Sequence, residues 1–215
     1  MSIAVIADIV ASRQLADRAA AQRRIARVVG DADRDLPVAK QPLAAVVGDE
    51  LQGEYDRLGD ALASLLLVRL ALPDGIDCRF GVGVGAVRPI ELDGRTVPEG
   101  PAWWAARAAI ERTARLQQRA APFARTWIEA AEGEDAAMVD TISLANAYAL
   151  SRDQLVSTMS ERTRRFTYGR CLGRSQRELA ETEGVSQSAV SQALASAGSA
   201  AIVEGFAALT RGARS

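Results

Sequence analysis

The sequence predicts an α+β fold, a mainly antiparallel sheet with helices on one face, followed by a small all-helical unit. Three observations carry this. Short apolar runs and longer segments of helical period follow one another in the order strand, helix, hairpin, helix, strand, helix, strand. One strand candidate alternates glycine with apolar residues from Gly81 to Gly85. Residues 174–215 show only helical patterning, broken at Gly184.

Ile3 to Ile9 is a short apolar run interrupted by Asp8, the pattern of a buried strand. The arginine- and alanine-rich stretch from Arg18 to Leu36 has helical character. Leu43 to Val47 is a second buried strand, and Gly48-Asp49-Glu50 turns it into Leu51 to Tyr55, which makes a hairpin with an acidic tip. Leu58 to Leu72 is apolar at helical spacing and stops at Pro73-Asp74-Gly75. The run from Cys78 to Val87 suits a strand whose glycine side lies against another backbone or a ligand. After a polar loop at Asp93-Gly94-Arg95, Gly100-Pro101 opens a helix carrying Trp103, Trp104 and Arg107. A strand within Pro122 to Ile128 and a helix over Asp135 to Met159 complete the first domain, residues 1–160. Arg162 to Gly173, arginine-rich with turn residues at its ends, reads as a linker, and residues 161–215 form the second domain.

Composition narrows the chemistry. With no histidine, the commonest general base and transition-metal ligand are absent, so catalysis would rest on carboxylates, hydroxyls, arginines or a hard metal ion. The two cysteines, Cys78 and Cys171, are far apart and read as small core residues rather than a disulfide or zinc site. The N-terminus has no basic region before its apolar run, and Arg69 interrupts the longest apolar stretch, so a cytoplasmic protein without a membrane span is expected. Net charge is −1, yet residues 151–215 hold 9 arginines against 6 acidic side chains, which makes the C-terminal part the face for a polyanion.

Ser175 to Leu194 meets each requirement of a helix-turn-helix. Ala180 permits a close helix crossing, Gly184 supplies the turn, Leu179, Val185, Val190 and Leu194 bury the inner faces, and Ser186 caps the second helix. That helix would present Ser186, Gln187, Ser188, Ser191 and Gln192 to a DNA major groove, with Arg174 and Arg177 on phosphates. A purely structural helical hairpin is the other reading, because the second helix carries no Lys or Arg.

Asp8 at a strand end and Asp49 at a hairpin tip are an arrangement in which two carboxylates hold a magnesium ion against a triphosphate, although aspartates there also serve simply as turn formers. Ala7-Asp8-Ile9-Val10-Ala11-Ser12, Gly48-Asp49-Glu50-Leu51, the glycine strand from Arg79 to Gly85, and Ala105-Ala106-Arg107 occur in the order and spacing seen in class III nucleotide cyclases, and the Gly-Asp-Glu hairpin also resembles that of diguanylate cyclases. More closely, the chain resembles the SatD family, with its Asp-Ile strand end, Gly-Asp-Glu hairpin, glycine-rich strand and C-terminal helix-turn-helix, over nearly its whole length. The resemblance implies a ferredoxin-like palm sheet, Asp8 and Asp49 as metal positions, the backbone of Ile9, Val10, Ala11 and Ser12 near phosphates, and Arg107 as the arginine acting on the transition state. Arg79 could reach phosphates or pair locally. Two departures stand against catalysis: Trp103 occupies the cyclases' asparagine position, and the only lysine, Lys40, lies well before the hairpin. The expectation is therefore a homodimeric DNA-binding regulator whose palm-like domain senses a nucleotide with Mg²⁺; the alternative is an active nucleotidyl cyclase or nucleotidyltransferase.

Overall fold

The computed structural model describes residues 1–11, 17–92 and 95–212. In chain order the elements are β1 (Ser2–Ile9), α1 (Arg18–Asp35), β2 (Ala39–Val47), β3 (Glu50–Tyr55), α2 (Leu58–Ala71), β4 (Cys78–Gly85), β5 (Arg88–Leu92), β6 (Arg95–Glu99), α3 (Pro101–Gln118), β7 (Thr126–Ala130), α4 (Ala136–Thr158), α5 (Glu161–Cys171), α6 (Gln176–Glu183), α7 (Gln187–Ser196) and α8 (Ser199–Thr210). Five strands form one sheet in the order β2-β3-β1-β4-β7; only the β4–β7 pair is parallel.

Helices cover both faces of this sheet, where the sequence led us to expect one. Ile3, Val5, Ala7 and Ile9 of β1 join a core with Ile25 of α1 and the leucines of α2. The alternate residues Ala4 and Ile6 pack instead on Ala102, Trp103, Ala106 and Ile110 of α3. A strand loaded on both faces reads as a continuous apolar run, so its sequence does not reveal that a second layer exists. The seat for α3 comes from glycine: a Cβ on Gly81 or Gly83 would lie within 2.2 Å of an α3 carbonyl oxygen. Residues 88–92 and 95–99, on either side of the predicted polar loop, pair as strands β5 and β6.

The parallel edge strand β7 is closed by side chains of α4. Asn146 accepts from the Ile128 amide and donates to the Ile128 carbonyl, each at 2.9 Å, as a neighbouring strand would. Asp153 accepts from the amides of Arg125 at 2.7 Å and Thr126 at 2.8 Å. Both occupy the hydrogen-bonding edge that would otherwise be open to another chain.

Residues 161–171 form helix α5 and not a linker. Phe166, Thr167 and Cys171 are buried, and Ser160 caps the helix through the Thr163 amide. Ile202 and Phe206 of α8 belong to the main core, and the Tyr168 hydroxyl donates to Asp35 at the end of α1 at 2.6 Å. The C-terminal helices therefore rest on α2, whose interior stretch from Asp60 to Leu70 is buried all round. Among the described residues no single helix is long and apolar enough to cross a membrane.

Both cysteines are buried and free, as their isolation in sequence implied. Burial pushes the Cys171 thiol and the Tyr55 phenol each up to about 12, and the Cys78 thiol up as well. Unfolded thiols ionise near 9.0, so above that pH the unfolded chain sheds protons that the folded chain retains. Stability should hold through neutral pH and fall as pH rises past 9.0 toward 12. Urea unfolding midpoints followed from about pH 7 to about pH 11 test this; a midpoint unchanged over that range contradicts it.

Candidate functional site

The C-terminal end of β1 carries Asp8 on the face that α3 covers. Antiparallel register places it opposite Arg79 of β4, and the two make a fork: Arg79 Nε donates to Asp8 Oδ1 at 2.8 Å and Nη2 to Oδ2 at 2.7 Å. On the other side of β1, Ala7 pairs with Leu51, so one step along each strand brings Glu50 beside Asp8. Glu50 Oε1 accepts from Arg107 Nη2 of α3 at 2.8 Å and from Gln52 Nε2 at 2.9 Å. Partial burial pushes the Glu50 carboxyl up, but the hydrogen bonds from Arg107 and Gln52 outweigh it and hold it below the usual range. The same bond to Glu50 raises Arg107, with a smaller contribution from the charge of Asp8. Two carboxylates and two guanidinium groups thus form one charge-balanced cluster at the end of three strands.

Asp49 is turned the other way. Gly48 is left-handed at φ 63°, Gln22 of α1 donates to its carbonyl at 2.8 Å, and Arg18 of α1 reaches Asp49 Oδ1 at 3.1 Å. Asp49 lines a groove of about 260 Å³ with Ile9, Ile25 and Leu51 on the α1 side. The side chain that joins Asp8 at the hairpin is Glu50. Its signal in the sequence was the alternation Glu50, Gln52, Glu54, which shares a face with Asp8, Ile6 and Ala4 once the register is known.

Ile9, the last residue of β1, is buried in the core; beyond it the Val10 amide donates to the Asp77 carbonyl at 2.9 Å, and Ala11 is left-handed at φ 53°. Ser12 lies outside the described residues. Of the two tryptophans on α3, Trp103 is buried and Trp104 is 63% exposed.

At the C-terminus, Ser175 closes a capping box with Glu178 at the start of α6, which ends on left-handed Gly184 at φ 64°. Ser186 caps α7 through the Ala189 amide at 3.2 Å. Phe166, Leu179, Ala180, Val190 and Leu194 pack into a small core of their own, apart from the main one. Gln187, Ser188, Ser191 and Gln192 all point to solvent along α7, as do Arg174 and Arg177 at α6, the latter in a surface pair with Glu181.

The sequence model of the SatD family matches residues 2–203. The chain belongs to the SatD family. No curated protein matches this SatD-family chain. Among solved structures it is similar to a bacterial light-regulated adenylyl cyclase, at 13% identity over 56% of this chain and 71% of that one, with a TM-score of 0.42. It is similar also to the adenylyl cyclase CyaB from P. aeruginosa, at 12% identity over 55% of this chain and 81% of that one, with a TM-score of 0.38.

The acidic residues of the SatD-family chain do not, as placed, fit a magnesium ion. Each of Asp8, Asp49 and Glu50 already accepts from an arginine, and among the described residues no three carboxylate or thiol side chains converge. A cation here would have to displace Arg79 or Arg107, which occupy the positive positions.

Proposed function

We propose that this protein is a DNA-binding regulator whose sheet domain binds a nucleotide near the Asp8–Glu50 cluster. The observation that carries the reading is the α6–α7 unit: two capped helices around left-handed Gly184, over a small core of their own, with an unbroken row of hydrogen-bonding side chains facing out. Gln187, Ser188, Ser191 and Gln192 on the second helix suit base edges and phosphates, while Arg174 and Arg177 suit phosphates. With no charge on α7, affinity for one copy would be low, so a homodimer reading two half-sites suits this surface.

Fluorescence anisotropy with duplex DNA over a range of salt tests it. Wild-type protein should bind with a salt-dependent affinity, and the Arg174→Ala/Arg177→Ala double variant should lose affinity for all sequences alike while the logarithmic salt slope drops by about 2. Absence of binding to any duplex at about 50 mM salt rejects the reading.

A second reading, a nucleotidyl cyclase or transferase, is favoured by one observation, the convergence of Asp8, Glu50, Arg79 and Arg107 from β1, β3, β4 and α3 on one sheet end. Arg107 would then hold charge on a phosphoryl group and Arg79 would orient it. Pyrophosphate release should be assayed with each NTP, with and without Mg²⁺. Release that disappears in Arg107→Ala and falls in Glu50→Gln favours the enzyme, whereas nucleotide binding without release favours the regulator.

A further inference from the structure

At the same end of the sheet, on the side away from α3, a cavity of about 400 Å³ opens where the 72–77 loop, the end of α4, the start of α5 and the segment before β7 meet. Three arginines from three different elements line it: Arg69 of α2, Arg125 before β7 and Arg164 of α5. Asp74 and Asp77 line it too, and each of the three arginines pairs with a carboxylate, one of which is shared with a fourth arginine. Arg69 and Arg152, both at most 5% exposed, share a single carboxylate, Asp153, whose other oxygen is taken by two backbone amides. Arg125 pairs with Asp77, and Arg164 pairs with Asp74, whose side chain is 73% exposed. Four guanidinium groups thus meet three carboxylates in these ion pairs, and one of the three is largely in water.

A second observation points the same way. Arg164 spends its terminal nitrogens on the carbonyls of Met159 and Leu72 and on Asp74, but its Nε is buried with no hydrogen-bond partner. Arg69 places Nη2 on the Ser157 hydroxyl at 3.0 Å, which adds a neutral hydrogen-bonding group to the lining. Two buried guanidinium groups on one carboxylate leave an excess positive charge beside the cavity that an anion within it would offset.

We infer that this cavity binds a phosphate group, borne by a small molecule or free as inorganic phosphate. Guanidinium forks from several directions suit the oxygens of a tetrahedral dianion, and the volume exceeds what phosphate alone fills. The site is distinct from the Asp8–Glu50 cluster and does not depend on its reading. A bound phosphate would also tie the 72–77 loop more firmly to α5, which already holds it by Arg164 on Leu72 and Asp74 and by Glu161 on the Asp74 amide.

Isothermal titration of the full chain with inorganic phosphate and with ribose 5-phosphate, at ionic strength fixed with chloride, tests the assignment. Saturable binding is expected for at least one probe, weakened at least about tenfold in Arg164→Gln and unchanged in Arg34→Ala, which removes only a surface pair with Asp31. Tighter binding of the sugar phosphate identifies a phosphomonoester ligand, and equal or tighter binding of inorganic phosphate identifies the free ion. Arg164→Lys keeps the charge without the fork; should the glutamine variant not fold, the lysine variant is expected to bind phosphate more weakly than wild type. No saturable heat with either probe, or equal affinity in every folded Arg164 variant, overturns the site, whatever happens at Asp8 or Arg107.

Discussion

Gly83→Ala is expected to destabilise this protein by more than the roughly 1–3 kcal/mol typical of overpacking a core, and to leave little folded chain at ambient temperature. A Cβ at residue 83 would sit 1.9 Å from the Ala102 carbonyl oxygen and 2.4 Å from the Ala106 nitrogen. Both are backbone atoms of α3, so no side-chain rotation relieves the clash; the whole helix must back away from β4. Doing so would uncover Ala4 and Ile6 and draw Arg107 off Glu50, and the candidate site would lose its third wall. Gly30→Ala is the matched control. It lies exposed inside α1 with nothing within 4 Å of an added Cβ, and should stabilise by about 0.5–1 kcal/mol through the better helix propensity of alanine. Chemical denaturation of the pair should therefore move in opposite directions. A Gly83→Ala protein that unfolds like wild type would mean that α3 does not seat on the glycine strand.

Asp153→Asn should have the second large effect, a loss of about 3–5 kcal/mol, because it strips the shared counter-ion from two buried guanidinium groups. Asp153 is fully buried and uses both oxygens: Oδ1 accepts from Arg69 and Arg152 at 2.8 Å, and Oδ2 accepts from the Arg125 and Thr126 amides. An asparagine has one acceptor oxygen, so its amide nitrogen must face either the two guanidinium groups or the two amides, donor against donor. Burial alone would push the Asp153 carboxyl up, but Arg152 and Arg69 more than reverse this and hold it below the ordinary range. Its stabilising contribution is accordingly present above the unfolded aspartate value of 3.8 and is lost as pH falls through the lower folded value. Urea titrations near neutral pH should show the loss directly, whereas Asp31→Asn, which breaks a surface pair with Arg34, should be indistinguishable from wild type. Equal midpoints for Asp153→Asn and wild type would show that the buried arginines find compensation elsewhere.

Much of this molecule could be read locally. The predicted strand at Ile3 to Ile9, the helix from Arg18 and the break at Pro73 stand within a few residues of the observed boundaries, because apolar periodicity and turn residues act over a few positions. The same holds for the C-terminal helices: Ser175, Gly184 and Ser186 each satisfy backbone groups within four residues of themselves, so their roles are written in their own neighbourhood. The arginine-rich stretch from Arg162 misled as a linker because Arg162 and Arg165 face outward while Phe166, Thr167 and Cys171 face the core, a division visible only on a helix.

By itself, then, the sequence determined most of the elements and their order, the glycine face of β4 and the capped pair of helices at the C-terminus, but not the β5–β6 pair or helix α5. Tertiary structure alone decided that both faces of the sheet are covered, that Glu50 rather than Asp49 joins Asp8 and Arg79, and that Arg69 meets Asp153 across 84 positions of chain. The physical reason is range. Caps, turns and amphipathic period are set by neighbours along the chain, whereas strand register and the pairing of a buried charge depend on which distant group is brought within about 3 Å.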